Sequence, residues 1–224
     1  MAEQAPELRI GVALSGGGVR GLAHLGVLRV LEEEDIPIAV MTGTSMGGLV
    51  AGIYASGVPL DEIVTFATDL RLLDLASPDR SWRGFFDHRK MSDLLAEIIG
   101  SADLTFEDLD IPIAVIAADL MTGELVVLDS GPLIPALLAT SALPLFFAPV
   151  RYQERWLIDG GVLNNLPFDI ARHKGADRVL AVTFPRTAGF DLHSGPPPQE
   201  RGPSLRVLKR LRGQSGEWRQ PFLI

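Results

Sequence analysis

A serine and an aspartate, each set among glycines just past an apolar strand, are the side chains of this sequence best placed for covalent chemistry. Ser45 stands in Gly43-Thr44-Ser45-Met46-Gly47, a Gly-x-Ser-x-Gly pattern at a strand-to-helix corner. Gly43 and Gly47 admit the strained turn and the close helix packing that expose such a hydroxyl. Asp159 stands in Leu157-Ile158-Asp159-Gly160-Gly161, where Gly160 and Gly161 permit close backbone approach. Asp-Gly is also a common turn pair, but the segment that follows, Val-Leu-Asn-Asn-Leu-Pro, is longer than a hairpin needs. A third stretch, Leu14-Ser-Gly-Gly-Gly-Val-Arg-Gly21, places Gly16, Gly17 and Gly18 between a strand and a helix. Consecutive glycines there turn N–H groups outward toward an anion, and the helix N-terminus adds positive potential. Such a nest suits a tetrahedral oxyanion as well as a phosphate. Arg20 beside it either braces the loop, meets a lipid phosphate or pairs with a nearby acid.

Gly16-x-Gly18-x-x-Gly21 also fits a dinucleotide fingerprint. That reading needs an acidic residue at the end of the second strand to hold ribose hydroxyls, and the second strand ends in Thr42-Gly43-Thr44. No Gly-Lys-Ser/Thr follows the loop, so a P-loop fails as well. A serine nucleophile needs a base. The four histidines are poor candidates: His24 lies among apolar helical neighbours, His88 in a basic loop, His173 on a solvated helix face and His193 in a proline-rich tail. Asp159 is the better base: partial desolvation would raise its basicity, and a direct hydrogen bond from the serine hydroxyl would place it for the proton transfer.

The elements that must position these groups alternate between strand and helix. Strands are expected at 8–14, 38–41, 113–118, 125–128, 156–158 and 178–184, with the fourth pairing with the third. Helices are expected at 19–34, 45–56, 60–73, 91–99, 135–141 and 167–174. The alternation implies an α/β domain with a mainly parallel central sheet. Residues 76–90 break the pattern with a loop that carries Trp82, Phe85 and Phe86 among basic residues, read either as lipid-facing or as core packing. After Phe184 a Pro/Gly-rich stretch leads to a short basic amphipathic helix at 205–211.

Ser-Gly-Gly-Gly-Val-Arg-Gly-Leu-Ala-His-Leu-Gly-Val-Leu, Gly-Thr-Ser-Met-Gly-Gly and Asp-Gly-Gly, in this order and spacing, resemble the patatin-like phospholipase family. Ala117-Ala-Asp-Leu-Met-Thr-Gly-Glu124 and Ala139-Thr-Ser-Ala-Leu-Pro144 are similar to that family's middle segments. The resemblance covers 8–184 and implies a three-layer αβα sandwich of the modified α/β-hydrolase kind. It also implies a histidine-free dyad acting on acyl esters of lipids without metal or organic cofactor. Carried over, Ser45 is the nucleophile and Asp159 the base. Gly16, Gly17 and Gly18 form the oxyanion hole, Arg20 takes the family's basic position, and Gly21, Gly43, Gly47, Gly160 and Gly161 support the motifs. The resemblance further implies a helix and strand after the last strand, where this chain carries the tail at 185–224, read as a shortened C-terminus. That departure sets up one rival to a lipid acyl hydrolase, a fold-retaining binding or regulatory protein; an esterase that uses histidine is the third choice.

The 224 residues suffice for one sizeable domain, with 47% hydrophobic and 21% charged residues, a globular balance. Residues 1–185 hold 13 Lys/Arg against 25 Asp/Glu, which argues against nucleic-acid binding. Residues 186–224 hold 7 against 3, a basic end suited to peripheral contact with anionic lipid or to plain solvation. Without cysteine there is no disulfide and no thiolate nucleophile. Met1–Glu7 lacks the basic start and apolar stretch of a secretory signal, and no apolar run reaches the roughly 18 residues that span a bilayer, so a cytoplasmic protein is expected. Composition leaves the oligomeric state open.

Overall fold

A computed structural model describes residues 8–69 and 88–184. Ile10–Leu14 (β1) is buried along its whole length, the signature of a strand covered on both faces. It runs parallel to Ile38–Thr44 (β2) on one side and to Arg178–Val182 (β7) on the other. β2 in turn runs parallel to Ile113–Asp119 (β3). The expected parallel sheet is thus the four strands β7-β1-β2-β3. Beyond them the sheet turns antiparallel: Leu125–Leu128 (β4) and Arg155–Asp159 (β6) both pair with β3, and Val150–Tyr152 (β5) pairs with β6.

Helices cover both faces, giving the three layers. One face presents Val12, Leu14, Met41, Val115 and Leu157 to the main core. There Met46–Ala55 (α2) lies over β2 and β3, and Leu133–Thr140 (α5) over β3, β5 and β6. His24–Glu33 (α1), Leu60–Asp69 (α3) and His88–Ile99 (α4) pack outside α2. The opposite face carries small residues, and Phe168–His173 (α6) crosses β7, β1 and β2 at close range. A Cβ on Gly11 would sit 2.7 Å from that of Ala176.

Several elements differ from the sequence expectations. The helix expected from residue 19 begins as a 3-10 turn, Gly18–Ala23, before α1. Gly18 takes φ 56, outside the α region, so regular helix starts only once the glycines have passed. α4 begins at His88, which places 88–90 in a helix and not in the loop. β5 was not expected; it joins β6 through Gln153, which takes φ 53 without help from glycine. The remainder of the loop with Trp82, Phe85 and Phe86, the end of the 60–73 helix, His193 and the whole tail at 185–224 lie outside the described residues.

Candidate active site

Two strands meet end to end on one edge of β3. β4 occupies the other edge, opposite Val115–Ala118. β2 and β6 must therefore share the remaining edge, β2 along Ile113–Ile116 and β6 along Ala117–Asp119. β2 is parallel to β3 and β6 antiparallel, so their C-terminal ends converge, with Thr44 opposite Ile116 and Asp159 opposite Ala117. Ser45 follows Thr44 directly. Residues 114 apart in sequence are brought together by strand direction alone. The chain leaves the junction through Gly160, where a Cβ would run into the Ile116 carbonyl.

Ser45 sits at φ 55 and ψ −126 as the N-cap of α2, a positive-φ conformation that non-glycine residues rarely adopt. The surroundings that enforce it are specific. Gly43 faces the backbone of Gly47 and Gly48, and Gly47 lies on the Leu14 and Ser15 carbonyls, so neither position has room for a side chain. The Ser45 N–H donates to Thr140 Oγ1 at 3.0 Å, and that hydroxyl donates to the Ile116 carbonyl at 2.5 Å. On the far side Thr44 and Thr42 donate to the carbonyls of Asn164 (2.8 Å) and Pro167 (2.9 Å), tying β2 to the segment after Asp159.

Asp159 is 3% exposed. Its N–H donates to the Ala142 carbonyl at 3.0 Å, and its Oδ1 accepts the Gly161 N–H at 2.7 Å. Burial pushes the carboxyl above its ordinary value; the Ser45 side chain, which hydrogen-bonds to it, and the Gly161 N–H pull the other way. The balance is a carboxylate poised to take a proton more readily than an exposed aspartate.

The glycine loop approaches this pair from β1. Gly21 abuts Met46, the residue after the serine, closely enough that a Cβ would overlap its side chain. The expected hole of three glycine amides is narrowed, because the buried Gly16 donates its N–H to the Asn165 carbonyl at 3.0 Å. Among the described residues the Gly17 and Gly18 N–H groups have no protein acceptor. Arg20 is exposed and pairs with no acid there; its guanidinium lies 5.6 Å from the Phe184 ring centroid. His24 is fully buried, with Nε2 2.8 Å from the Ser15 carbonyl, so Nε2 carries the proton. Desolvation lowers its pKa and keeps it neutral. His88 is held by the Ala148 carbonyl and the Phe147 ring, and His173 by the Asp169 carbonyl, none of them bonded to Ser45.

Two polar residues here escaped the sequence reading. Thr140 lies in the Ala-Thr-Ser-Ala-Leu-Pro segment noted above, but nothing local ties it to a serine 95 positions earlier. Asn165 accepts the Gly16 N–H through its carbonyl and donates through Nδ2 to the Gly16 carbonyl at 3.3 Å, clamping that peptide on both sides. Its Oδ1 also lies where a Cβ on Gly161 would fall, at 3.1 Å, so it joins the glycine loop to the aspartate turn.

Comparison with known proteins bears on the family and the fold. An uncharacterized NTE family protein of Mycobacterium tuberculosis is 37% identical over 179 residues, which make up 79% of this chain and 49% of that protein. A patatin-like phospholipase domain-containing protein of Caenorhabditis elegans is 37% identical over 77% of this chain, but only 13% of its own length is matched. The chain thus spans about half the length of the mycobacterial relative. VipD from Legionella pneumophila shares the fold, with a TM-score of 0.66 over 80% of this chain and 50% of VipD at 19% identity. The family model described as patatin-like phospholipase matches residues 12–172, a span that takes in the glycine loop, the serine elbow and the aspartate turn, and the chain belongs to that family.

Proposed function

We propose that this chain is a serine acyl hydrolase that cleaves carboxylic esters of lipids through an acyl-enzyme. The observation that carries the proposal is the convergence of β2 and β6, which sets a strained, partly exposed Ser45 against a buried Asp159. Asp159 takes the hydroxyl proton as Ser45 Oγ attacks the ester carbonyl. The tetrahedral oxyanion is held by the Gly17 and Gly18 N–H groups, which have no acceptor among the described residues. Collapse expels the alcohol, protonated by Asp159, and leaves the acyl group on Ser45. Water then enters, gives a proton to Asp159 and attacks the acyl carbonyl. Release of the fatty acid returns the proton to Ser45.

Lipid esters are the substrate class that family membership supports. The hydrogen bond between the Ser45 and Asp159 side chains supports turnover over a protein that retains the fold for binding alone. Among the described residues Ser45 is hydrogen-bonded to Asp159 and to no histidine, which favours the aspartate as its base over a histidine. Hydrolysis of a p-nitrophenyl acyl ester by wild type, Ser45→Ala and Asp159→Asn tests the reading. Turnover by wild type and at least a 1,000-fold loss in each variant is expected, on the order of a triad member's removal. Full activity in Asp159→Asn would remove the dyad.

A further inference from the structure

Phe184 lies two residues past β7 and beyond the 12–172 span of the family model, yet its ring is built into the glycine loop. The ring fills the space that a Cβ on Gly17 would need, with Cδ2 and Cε2 at 2.7 and 2.9 Å from that position. The buried His24 ring lies 5.0 Å away, tilted by 39°, and the Arg20 guanidinium lies 5.6 Å from the Phe184 centroid.

Gly16, Gly17 and Gly18 have no side chains to fix them, and among the described residues the Gly17 and Gly18 amides have no acceptor. Donors act in catalysis only when already aimed, since aiming them during the reaction costs what the interaction returns. Successive loop residues are each held by a different distant group. Ser15 is bound through its N–H by the Val182 carbonyl and through its own carbonyl by His24 Nε2–H. Gly16 is clamped by Asn165. Among the described residues Gly17 has no such hydrogen bond, and the Phe184 ring is what lies nearest its Cβ position, at 2.7 Å, with the Arg20 Cβ next at 3.8 Å.

We propose that Phe184, flanked by Arg20 and His24, is the positioning residue of the oxyanion loop: the floor on which the Gly17 peptide rests and which aims the Gly17 and Gly18 amides. The proposal rests on the hydrolase reading above. Phe184 touches no reacting atom and acts through Gly17. The fit is reciprocal: a side chain at position 17 would have to displace the Phe184 ring.

The test is a double-mutant cycle on the full chain with a p-nitrophenyl ester, together with affinity for a trifluoromethyl ketone whose serine adduct carries the oxyanion. Phe184→Ala is expected to lower kcat at least 10-fold with KM within about twofold, and to weaken the ketone by the same factor as kcat/KM. Phe184→Tyr, which keeps the ring, should restore kcat to within threefold. Gly17→Ala should cost at least 30-fold in the wild-type background but only a few-fold once Phe184 is Ala, because the ring it collides with is gone. If Phe184→Ala melts below the assay temperature, Phe184→Leu carries the cycle with the same expected sign. An active wild type whose kcat and ketone affinity ignore Phe184, or a Gly17→Ala cost equal in both backgrounds, overturns this proposal alone. A wild type that turns over no ester overturns the hydrolase reading and this proposal with it.

Discussion

Replacing Thr140 with valine isolates the bond that holds the serine elbow. Thr140 is fully buried, and its hydroxyl makes two contacts: it accepts the Ser45 N–H at 3.0 Å and donates to the Ile116 carbonyl at 2.5 Å. Valine matches the volume and removes both, taking from the Ser45 N–H its acceptor and from the Ile116 carbonyl the hydroxyl that donates to it. A buried polar group that loses its only partner costs about 1–3 kcal/mol. Ser45 is partly exposed, so water recovers some of its share, and the sum comes to about 2–4 kcal/mol. For a domain of this size that lowers Tm by roughly 5–15 °C. Thr140→Ser keeps both bonds and loses one buried methyl, about 1 kcal/mol. Activity separates the pair further. Ser45 holds a conformation worth about 1–3 kcal/mol of strain, and it relaxes once its N–H is released. A displacement of 1 Å can cost about 100-fold in rate, so Thr140→Val is expected to lose 10- to 100-fold in kcat and Thr140→Ser less than threefold. Urea unfolding and ester hydrolysis on both variants decide it. Equal stability and equal kcat in the two would refute the claim that this hydroxyl holds the elbow.

Asp159→Asn is expected to be more stable than wild type at pH 7. Burial raises the native pKa above the ordinary 3.8, so between the two values the native state binds more protons and stability falls as pH rises. Urea unfolding should show the variant's advantage at neutral pH and its disappearance below about pH 3.8. In the wild type, kcat/KM should rise with pH along an acid limb whose midpoint lies above 3.8, and that limb should be absent from any residual activity of Asp159→Asn. Asn165→Ala keeps the carbonyl that accepts the Gly16 N–H but loses Nδ2, so about a 10-fold fall in kcat with under 1 kcal/mol of stability lost is expected from chemical denaturation and steady-state kinetics. Gly43→Ala places a Cβ into the Gly47 and Gly48 backbone, which cannot move without shifting α2, and thermal melting should show a loss of more than about 3 kcal/mol.

The glycine positions could be read from sequence because close backbone approach leaves its mark on residue type. Gly43, Gly47 and Gly160 have no room for a Cβ, and the sequence motifs register that directly. The alternation of strands and helices likewise follows from local periodicity. What the sequence did not disclose is what depends on partners far along the chain. That β6 runs antiparallel into the end of β2 is a property of pairing across β3, and no short motif encodes it. β5 is three residues long with an arginine at its centre, too short for its alternation to register. Thr140 and Asn165 act through hydrogen bonds spanning 95 and 149 residues, and each alone reads as an ordinary polar residue. The Gly16 amide was expected to be free because its neighbours are glycines; its acceptor is a carbonyl from the far end of the domain.

The central claim is that Ser45, activated by Asp159, forms the covalent intermediate. A fluorophosphonate reacts with an activated serine, and peptide mass spectrometry then locates the adduct. One adduct is expected, on the peptide containing Ser45, formed by wild type and slowed at least 100-fold in Asp159→Asn. An adduct on another residue, or equal labelling of the two proteins, would contradict it.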